Sequence, residues 1–275
     1  MNNYLNDLWI KAPLSWAIIR ARECQVLEKE EFIHPILEIG CGDGLFAQVL
    51  FKKNIKIDVG IDSDENEIRR AKKSNMYNRL ICTSVTNLPF KNCSFKTVFI
   101  NGVLEHIPEL STALGEINRI LKPRGKLITT SPSDVYSKQL GYYRLLNYFG
   151  LTILAKKYAS LINRLFLHYH LLSPKQWKKK LEKNHFSLEN VVFYNSPQII
   201  LIHDLFLPFA VLSKIVKKYT DSMVLFPNFR KILIKPFVPL LNMFIRETGA
   251  IDKRSSILLI AKKYESLEKN NFQFN

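Results

Sequence analysis

An α/β fold with a parallel, doubly wound sheet is predicted for the first half of this chain. Short, β-branched apolar runs alternate there with charged amphipathic segments. A cluster of glycines follows the first apolar run, and an acidic residue ends the second. Strands and helices that alternate in this way form a parallel sheet with right-handed crossovers and helices on both faces.

The predicted elements of the first half, in chain order, are strand Ile36–Ile39, helix Phe46–Phe51, strand Lys56–Asp62, helix Glu65–Lys73, strands Leu80–Ser84 and Thr97–Asn101, helix Ser111–Leu121 and strand Lys126–Ser131. The turn signal Lys122-Pro123-Arg124-Gly125 ends the third of these helices. The second half adds a basic helix over Pro174–Asn184, with Ser173 as its N-cap, and strands over Asn190–Asn195 and Ile257–Lys262.

The 275 residues, of which 47% are hydrophobic, carry a formal charge of +16. This length allows one elaborated domain or two small ones, and the apolar fraction excludes a disordered chain. Residues 1–135 hold 18 Lys and Arg against 16 Asp and Glu, whereas residues 136–275 hold 22 against 8. The excess of positive charge in the second half indicates a polyanionic partner, either nucleic acid or an anionic membrane surface.

The four cysteines form no C-x-x-C motif, and we expect reduced thiols in a cytosolic protein. Residues 1–22 lack the basic start and the long apolar core of a secretory signal. The longest stretch without Asp, Glu, Lys or Arg is Asn190–His203, fourteen residues, which is shorter than a membrane-spanning helix. The expected protein is cytoplasmic, either soluble or peripheral on the membrane.

The sharpest local pattern is Leu37–Gly44, where an apolar run leads into glycines spaced G-x-G-x-G. Glycine lets the backbone turn tightly and lets a ligand approach without a Cβ in the way. A dinucleotide fingerprint requires G-x-G-x-x-G, whose third glycine would fall on Leu45. Asp62 ends the next strand about 20 residues later, where a carboxylate can accept hydrogen bonds from a ribose diol. Loop and acid together favour a ribose-containing ligand over a simple helix-capping turn.

At this point the sequence resembles the class I S-adenosylmethionine-dependent methyltransferases, in the type 11-like branch that acts on small molecules and lipids. The resemblance rests on Glu38–Gly44, Gly60–Asp62, Asn87–Phe90, Ser94-Phe95, Val103–His106 and Leu121–Leu127. The last of these resembles the family's L-K-P-G-G turn, with Arg124 where the family has a glycine. The likeness is strong over residues 30–135 and weak over 168–195 and 257–262. It implies a Rossmann-like sheet of seven strands, mostly parallel, with the last strand antiparallel, plus a helical apolar cap.

The resemblance also implies S-adenosyl-L-methionine as the cofactor, bound across the carboxyl ends of the strands. Its candidate binding residues are Glu38, Gly40, Cys41, Gly42, Gly44, Asp62, Ser63, Ser84, Val85 and Asn101. Ser84 stands where the family commonly has an Asp that binds the adenine amino group. A hydroxyl carries no charge, so adenine binding is expected to be weaker or shared with Val85.

Methyl transfer from a sulfonium depends mainly on aligning the acceptor with the methyl group. A general base is needed only where the acceptor must lose a proton. The candidates are His106, at the end of the V-L-E-H motif, and His168 and His170, in a segment that resembles the family's active-site cover. A structural role is the alternative for each of them, as capping or packing for His106 and as ordinary surface for the other two. No metal site is expected, and Glu105 is expected to be structural.

Five regions are predicted: a helical extension over 1–30, a cofactor-binding core over 31–135, a substrate cap with the sixth strand over 136–195, an apolar basic insertion over 196–256, and the last strand and tail over 257–275. The insertion contains a predicted amphipathic helix. One face holds Leu205, Phe209, Leu212, Ile215 and Val216, while Ser213, Lys214, Lys217 and Lys218 lie on or near the other. Such a helix suits an anionic membrane interface, and the alternative is an enlarged substrate cap with solvated lysines.

The leading hypothesis is a methyltransferase for a small, lipid-like acceptor, such as a prenylated quinone precursor, a fatty acyl compound or a lipid-linked glycan. An RNA methyltransferase is the second, motivated by the basic second half, although its lysines accompany Leu, Ile, Phe and Pro rather than polar residues. A non-catalytic methyltransferase-like binding protein is the third. The sequence leaves the acceptor and the oligomeric state open.

Overall fold

The computed structural model of this chain describes residues 3–52, 54–245 and 254–264. The strands are Ile36–Ile39 (β1), Ile57–Asp62 (β2), Tyr77–Cys82 (β3), Phe95–Asn101 (β4), Leu121–Pro132 (β5), Phe186–Tyr194 (β6) and Ser256–Lys263 (β7). They form one sheet in the order β3-β2-β1-β4-β5-β7-β6. The first five strands are parallel to their neighbours, and β7 runs antiparallel to β5 and β6. The predicted fold class is therefore confirmed.

The helices are Tyr4–Trp9 (α1), Leu14–Leu27 (α2), Leu45–Phe51 (α3), Glu65–Lys72 (α4), Leu110–Ile120 (α5), Tyr136–Gln139 (α6), Gly141–Tyr148 (α7), Thr152–Leu165 (α8), Pro174–Lys183 (α9), Pro197–Leu205 (α10), Leu207–Thr220 (α11), Pro227–Ile234 (α12) and Val238–Ile245 (α13). Ser173 is the predicted N-cap of α9, and it forms a capping box with Gln176. The predicted tail beyond Tyr264 lies outside the described residues, and the five predicted region boundaries stay predictions.

Both faces of the sheet are covered by helices, which explains why the central strands are nearly continuous apolar runs. Phe99 of β4 packs into a core with α1, α2 and α3 on one face. Its neighbours Val98 and Ile100 pack on the other face, with α5 and α9. Alternate side chains of β4 therefore belong to two separate hydrophobic cores, one on each face of the sheet. Because both faces are apolar, the polar site must lie at a strand end.

Strands β2, β4 and β7 differ from the prediction by one or two residues at their ends, and β3, β5 and β6 begin three to five residues earlier than predicted. β3 begins at Tyr77 rather than Leu80, because Tyr77 pairs with Ile57 although the polar Asn78 and Arg79 hide the strand pattern on this edge. It ends at Cys82, so Ser84 lies in the following loop. β6 likewise begins at Phe186 and not at Asn190.

The predicted turn at Lys122–Gly125 is instead an irregularity inside β5. Leu121 pairs with Phe95 while Lys126 pairs with Thr97, so the intervening residues bulge out of register. Arg124 has a φ of +59°, the left-handed region that glycine adopts most readily. This backbone conformation is the physical reason that a glycine suits the position. With Arg124 there instead, the conformation costs about 1–2 kcal/mol.

The insertion between β6 and β7 contains α10 to α13, and α11 docks on the glycine-loop side of the molecule. Lys217 Nζ lies 2.9 Å from Asp43 and 2.8 Å from Glu67. Asp221, just after α11, pairs with Arg70 at 3.0 Å. The alternative of simply solvated lysines therefore does not hold for Lys217, because two carboxylates of the core attract it inward. Leu205 belongs to α10 and not to this helix.

The outer face of α11 is apolar: Phe209, Leu212 and Ile215 are all more than half exposed. Further large apolar side chains are exposed on neighbouring helices, namely Phe149, Ile153, Leu161, Phe229, Ile232, Phe237 and Met243. No single helix within the described ranges has the length and apolar composition to cross a membrane. By those two criteria alone, α10 and α11 together pass as a pair bent by 56°.

Candidate functional site

The predicted glycine loop joins β1 to α3 at the carboxyl edge of the sheet. Gly40, Gly42 and Gly44 have φ angles of +74°, +52° and +77°. A Cβ built on Gly40 would lie 2.3 Å from Val103 Cγ2, whereas a Cβ on Gly42 would meet nothing within 4 Å. Gly40 is therefore required by packing within the protein. Gly42 borders open space that a ligand can occupy.

Asp62 ends β2 beside this loop and holds it in place. Its Oδ2 accepts a hydrogen bond from the Gly42 backbone N–H at 2.9 Å, and its Oδ1 accepts one from Asp64 N–H at 3.0 Å. A carboxylate offers about four acceptor positions, so Asp62 can still accept hydrogen bonds from the two hydroxyls of a diol. Ser63, the next residue, is exposed at the same edge.

Two predicted residues lie beneath the loop. The Glu38 carboxylate is buried and accepts a hydrogen bond from Tyr77 Oη at 2.9 Å. Burial raises the pKa of Glu38 to about 8, partly offset by the Tyr77 hydrogen bond. The Cys41 thiol is also buried, and burial raises its pKa. Both side chains therefore support the loop from below.

The remaining predicted cofactor residues follow β3 and β4 at the same edge. Ser84 is exposed, and its Oγ lies 2.8 Å from Thr86 Oγ1 in a local turn. Val85, next to it, is buried and supplies an apolar wall. Asn101 Oδ1 accepts a hydrogen bond from Thr130 Oγ1 at 2.6 Å, which ties the ends of β4 and β5 together. Because β3, β2, β1 and β4 are adjacent, these residues converge on one edge as the switch-point rule expects.

A cavity of about 280 Å³ begins beside Asn101, at the ends of β4 and β5. Its walls come from α2, the segment after β4, the end of β5, α6 and the residues that follow α8. The polar side chains lining it include Arg20, Glu23, Glu105, His106, Tyr136 and His168. It therefore combines a recessed space with titratable groups just beyond the end of β4, as expected of an active site, whereas none of the predicted cofactor-binding residues is among those that line it.

Sequence reasoning missed Arg20 and Glu23. Arg20 Nη1 lies 2.5 Å from Glu23 Oε2, and Tyr194 Oη donates to Glu23 Oε1 at 2.5 Å. A Cβ built on Gly102 would lie 2.9 Å from Arg20 Nη2, so the guanidinium is held directly over the backbone after β4. The available signal was an Arg and a Glu three residues apart in the otherwise apolar helix α2, a pattern typical of a buried ion pair.

Two of the three predicted histidines meet in the cavity. The rings of His106 and His168 stack with their centroids 5.3 Å apart, and Tyr136 contacts His168 edge-on. Burial lowers the pKa of His106 and lowers that of His168 to about 4, so both imidazoles are neutral at pH 7. His170 points elsewhere, with Nε2 3.3 Å from Pro108 O, and it is absent from the residues that line the described cavities.

Glu105 lies at the floor of the cavity and is 3% exposed. Its Oε1 is 3.8 Å from His106 Nε2, while its Oε2 has no hydrogen-bond partner in the described part of the chain. Burial raises the pKa of Glu105 to about 8. The side chain is therefore mostly protonated at neutral pH and can donate a hydrogen bond into the cavity.

This raised pKa predicts a pH-dependent stability. The folded state keeps the Glu105 proton up to pH about 8, whereas the unfolded carboxyl loses it near its ordinary value of 4.5. Glu105 therefore destabilises the fold progressively as pH rises from about 4.5 to 8, by on the order of 2–4 kcal/mol. Relative to the parent, Glu105→Gln should gain stability over this range, measured by urea unfolding at several pH values.

Glu116→Gln is the matched control for this measurement. Its hydrogen bonds from Arg119 lower the pKa of Glu116. The stabilisation by ionised Glu116 is therefore fully present above its ordinary pKa of 4.5, so the control should be less stable than the parent by a nearly constant amount from about pH 5 to 8. A Glu105→Gln difference that stays constant from pH 4.5 to 8 would contradict the assignment.

Comparison with known proteins finds similarity to a family within the predicted cofactor-binding core, residues 31–135. The family described as "Methyltransferase domain" matches residues 37–129. A demethylmenaquinone methyltransferase of Staphylococcus aureus is 34% identical over 131 residues, which cover 45% of this chain and 54% of the relative. An uncharacterized protein of Methanocaldococcus jannaschii is 40% identical over 101 residues, 36% of this chain and 40% of the relative. The chain thus spans about half the length, or less, of these relatives.

Solved structures extend the likeness across most of the chain. A possible histamine N-methyltransferase of Thermotoga maritima has a TM-score of 0.55 and 18% identity, and covers 91% of each chain. A geranyl diphosphate C-methyltransferase of Streptomyces coelicolor, solved with Mg²⁺, geranyl diphosphate and S-adenosyl-L-homocysteine, has a TM-score of 0.51 and 13% identity, and covers 91% of this chain and 84% of that one. At these identities the structures show the shared fold alone. Residues 37–129 therefore match a methyltransferase domain, and the quoted motifs and the strand order agree with that match.

Proposed function

We propose that this chain is an S-adenosylmethionine-dependent methyltransferase that transfers a methyl group in line to a small, lipid-like or membrane-associated acceptor. The observation that carries the proposal is the cavity of about 280 Å³ that begins at Gly102, just beyond the end of β4, and is lined by His106, His168 and Glu105. The names of the relatives support a small apolar acceptor, since demethylmenaquinone and geranyl diphosphate both carry or consist of apolar chains.

The residues present fit the proposed cofactor. The open space at Gly42 admits a ligand against the backbone, and Asp62 has acceptor positions left for ribose hydroxyls. Ser63, Ser84 and Val85 complete the edge, as hydroxyl donors and an apolar wall. Arg20, absent from the predicted set, lies over Gly102 and suits a carboxylate. S-adenosylmethionine, when bound, supplies a methyl group already activated by its sulfonium charge.

The residues of the cavity would orient the acceptor and manage its proton. Neutral His106 and His168 can each accept a hydrogen bond from an acceptor hydroxyl, because burial lowers the pKa of both rings and keeps them unprotonated; the lower pKa of His168 makes it the weaker base of the two. Protonated Glu105 can donate a hydrogen bond to the acceptor. The walls from α2 and from the segment after α8 exclude water, which strengthens these polar contacts.

The proposal is tested by measuring binding and turnover separately. Calorimetry with S-adenosylhomocysteine should show binding by the purified chain, and absence of binding would sink the proposal. Tritium transfer from S-adenosylmethionine into a lipid extract should fall about 10²–10⁴-fold in His106→Gln or His168→Gln if either histidine is the base. His170→Gln is the matched control, because that imidazole points to Pro108 O outside the cavity.

Contact with an anionic membrane is supported by the exposed apolar faces of α8, α11, α12 and α13, together with the nearby lysines and arginines. Co-sedimentation with vesicles of phosphatidylglycerol should exceed co-sedimentation with phosphatidylcholine vesicles. A salt-dependent RNA gel shift without vesicle binding would instead favour the RNA methyltransferase.

A further inference from the structure

A second cavity, of about 190 Å³, adjoins the first. Trp16, Phe166, His203 and Lys214 line both of them. Shared walls of this kind mean that the two spaces meet across the same four side chains. A ligand that extends from the polar cavity into the second one must pass these four side chains, and this route is called the path below.

The two cavities differ in chemistry along this path. The inner one holds the histidines, Glu105 and the Arg20–Glu23 pair. The outer one is lined mainly by apolar side chains from α2, α8 and α11, among them Leu165, Leu207 and Val211. Lys217 also lines it, but its ammonium is neutralised by Asp43 and Glu67. The path therefore changes from polar to apolar between the inner and the outer cavity.

The outer cavity reaches the surface between the end of α8 and α11. Leu165 and Val211 both line it and are exposed, at 46% and 38% of their surface. Phe209 and Leu212 extend the apolar surface on α11, and Leu161 does so on α8. An apolar group leaving the cavity therefore meets further apolar surface rather than open water.

We propose that the acceptor is an amphipathic molecule with one apolar chain, an inference that rests on the proposed function. Its reacting polar end enters the inner cavity, and its chain runs through the outer cavity and out between α8 and α11. Binding sites for whole drug-sized ligands measure roughly 300–1,000 Å³. At 190 Å³ the outer cavity lies below this range, which is room for one apolar group such as a single alkyl chain.

The probe for this proposal is cis-parinaric acid, a single-chain fatty acid that fluoresces in apolar surroundings, used below its micelle concentration. Ala210→Phe places a ring in the outer cavity, and should weaken parinarate binding by at least about 10-fold because the space is already small. Ile215→Phe is the matched control on the same helix, exposed and outside the lining residues, and it should bind like the parent. Unchanged binding by Ala210→Phe would overturn the proposal and place the fatty acid elsewhere, such as the apolar groove at Trp9, Phe206 and Phe237.

A second measurement does not depend on how well Ala210→Phe folds. Trp16 lies where the two cavities meet, so a dibrominated stearic acid should quench its fluorescence in a background in which the other two tryptophans, Trp9 and Trp177, are replaced by Phe. Absence of quenching would overturn the proposed path. S-adenosylhomocysteine affinity is measured on the same samples. If the parent protein does not bind S-adenosylhomocysteine, the proposed function is refuted. If it binds S-adenosylhomocysteine but not parinarate, only the acceptor path is refuted.

Discussion

Replacing Asp62 with alanine is expected to lower the affinity for S-adenosylhomocysteine by about 100-fold or more. The carboxylate holds the Gly42 and Asp64 backbone N–H groups at 2.9 and 3.0 Å, so its loss frees the loop as well as removing the acceptor for the ribose. Hydrogen bonds to charged groups contribute about 1.5–3 kcal/mol each, and about 2.8 kcal/mol corresponds to 100-fold. Titration calorimetry of the purified variant measures the change.

Asp58→Ala is the matched control for this experiment. Asp58 lies on the same strand and also accepts a backbone hydrogen bond, from Ile36 N–H at 2.7 Å, but near the opposite end of β2. Its loss should lower the melting temperature while leaving the affinity within about twofold, because it is remote from the loop. Equal affinities for Asp62→Ala and the parent protein would refute the role assigned to Asp62.

Gly42→Ala should lower the affinity for S-adenosylhomocysteine by about 10–100-fold with only a small loss of stability. A Cβ at Gly42 meets no protein atom within 4 Å, so it would project into the space that the ligand needs. The left-handed backbone conformation at position 42 costs an alanine about 1–2 kcal/mol, whether or not the ligand is bound. Calorimetry and urea unfolding separate the loss of affinity from the loss of stability.

Gly115→Ala is the corresponding control, because a Cβ at this helical position in α5 also meets nothing within 4 Å. It should stabilise the protein by about 0.5–1 kcal/mol through helix propensity and leave binding unchanged. Gly40→Ala should behave differently from both, since its Cβ would clash with Val103 and destabilise the fold. If Gly42→Ala binds as the parent does, the open space beside Gly42 is not part of the cofactor site.

The features that could be predicted from sequence are those set within one strand–turn–helix unit. The glycine spacing placed the loop after β1, and Asp62 was placed at the end of β2, because the carboxyl ends of parallel strands meet at one edge. Strand boundaries were least certain on β3, where polar residues at an edge interrupt the apolar pattern. His106 and His168 were proposed separately, and nothing in their spacing indicated that their rings would stack.

The amino-acid sequence by itself determined the fold class, the cofactor loop with its acidic partner, and the concentration of charge in the second half, since each depends on local pattern or composition. Only the tertiary structure decided how the cavity is built, because Arg20, His106 and His168 come from distant segments that meet through packing. It also decided the direction of α11. The core carboxylates Asp43 and Glu67 draw Lys217 inward, and the apolar side of the helix is therefore left facing outward.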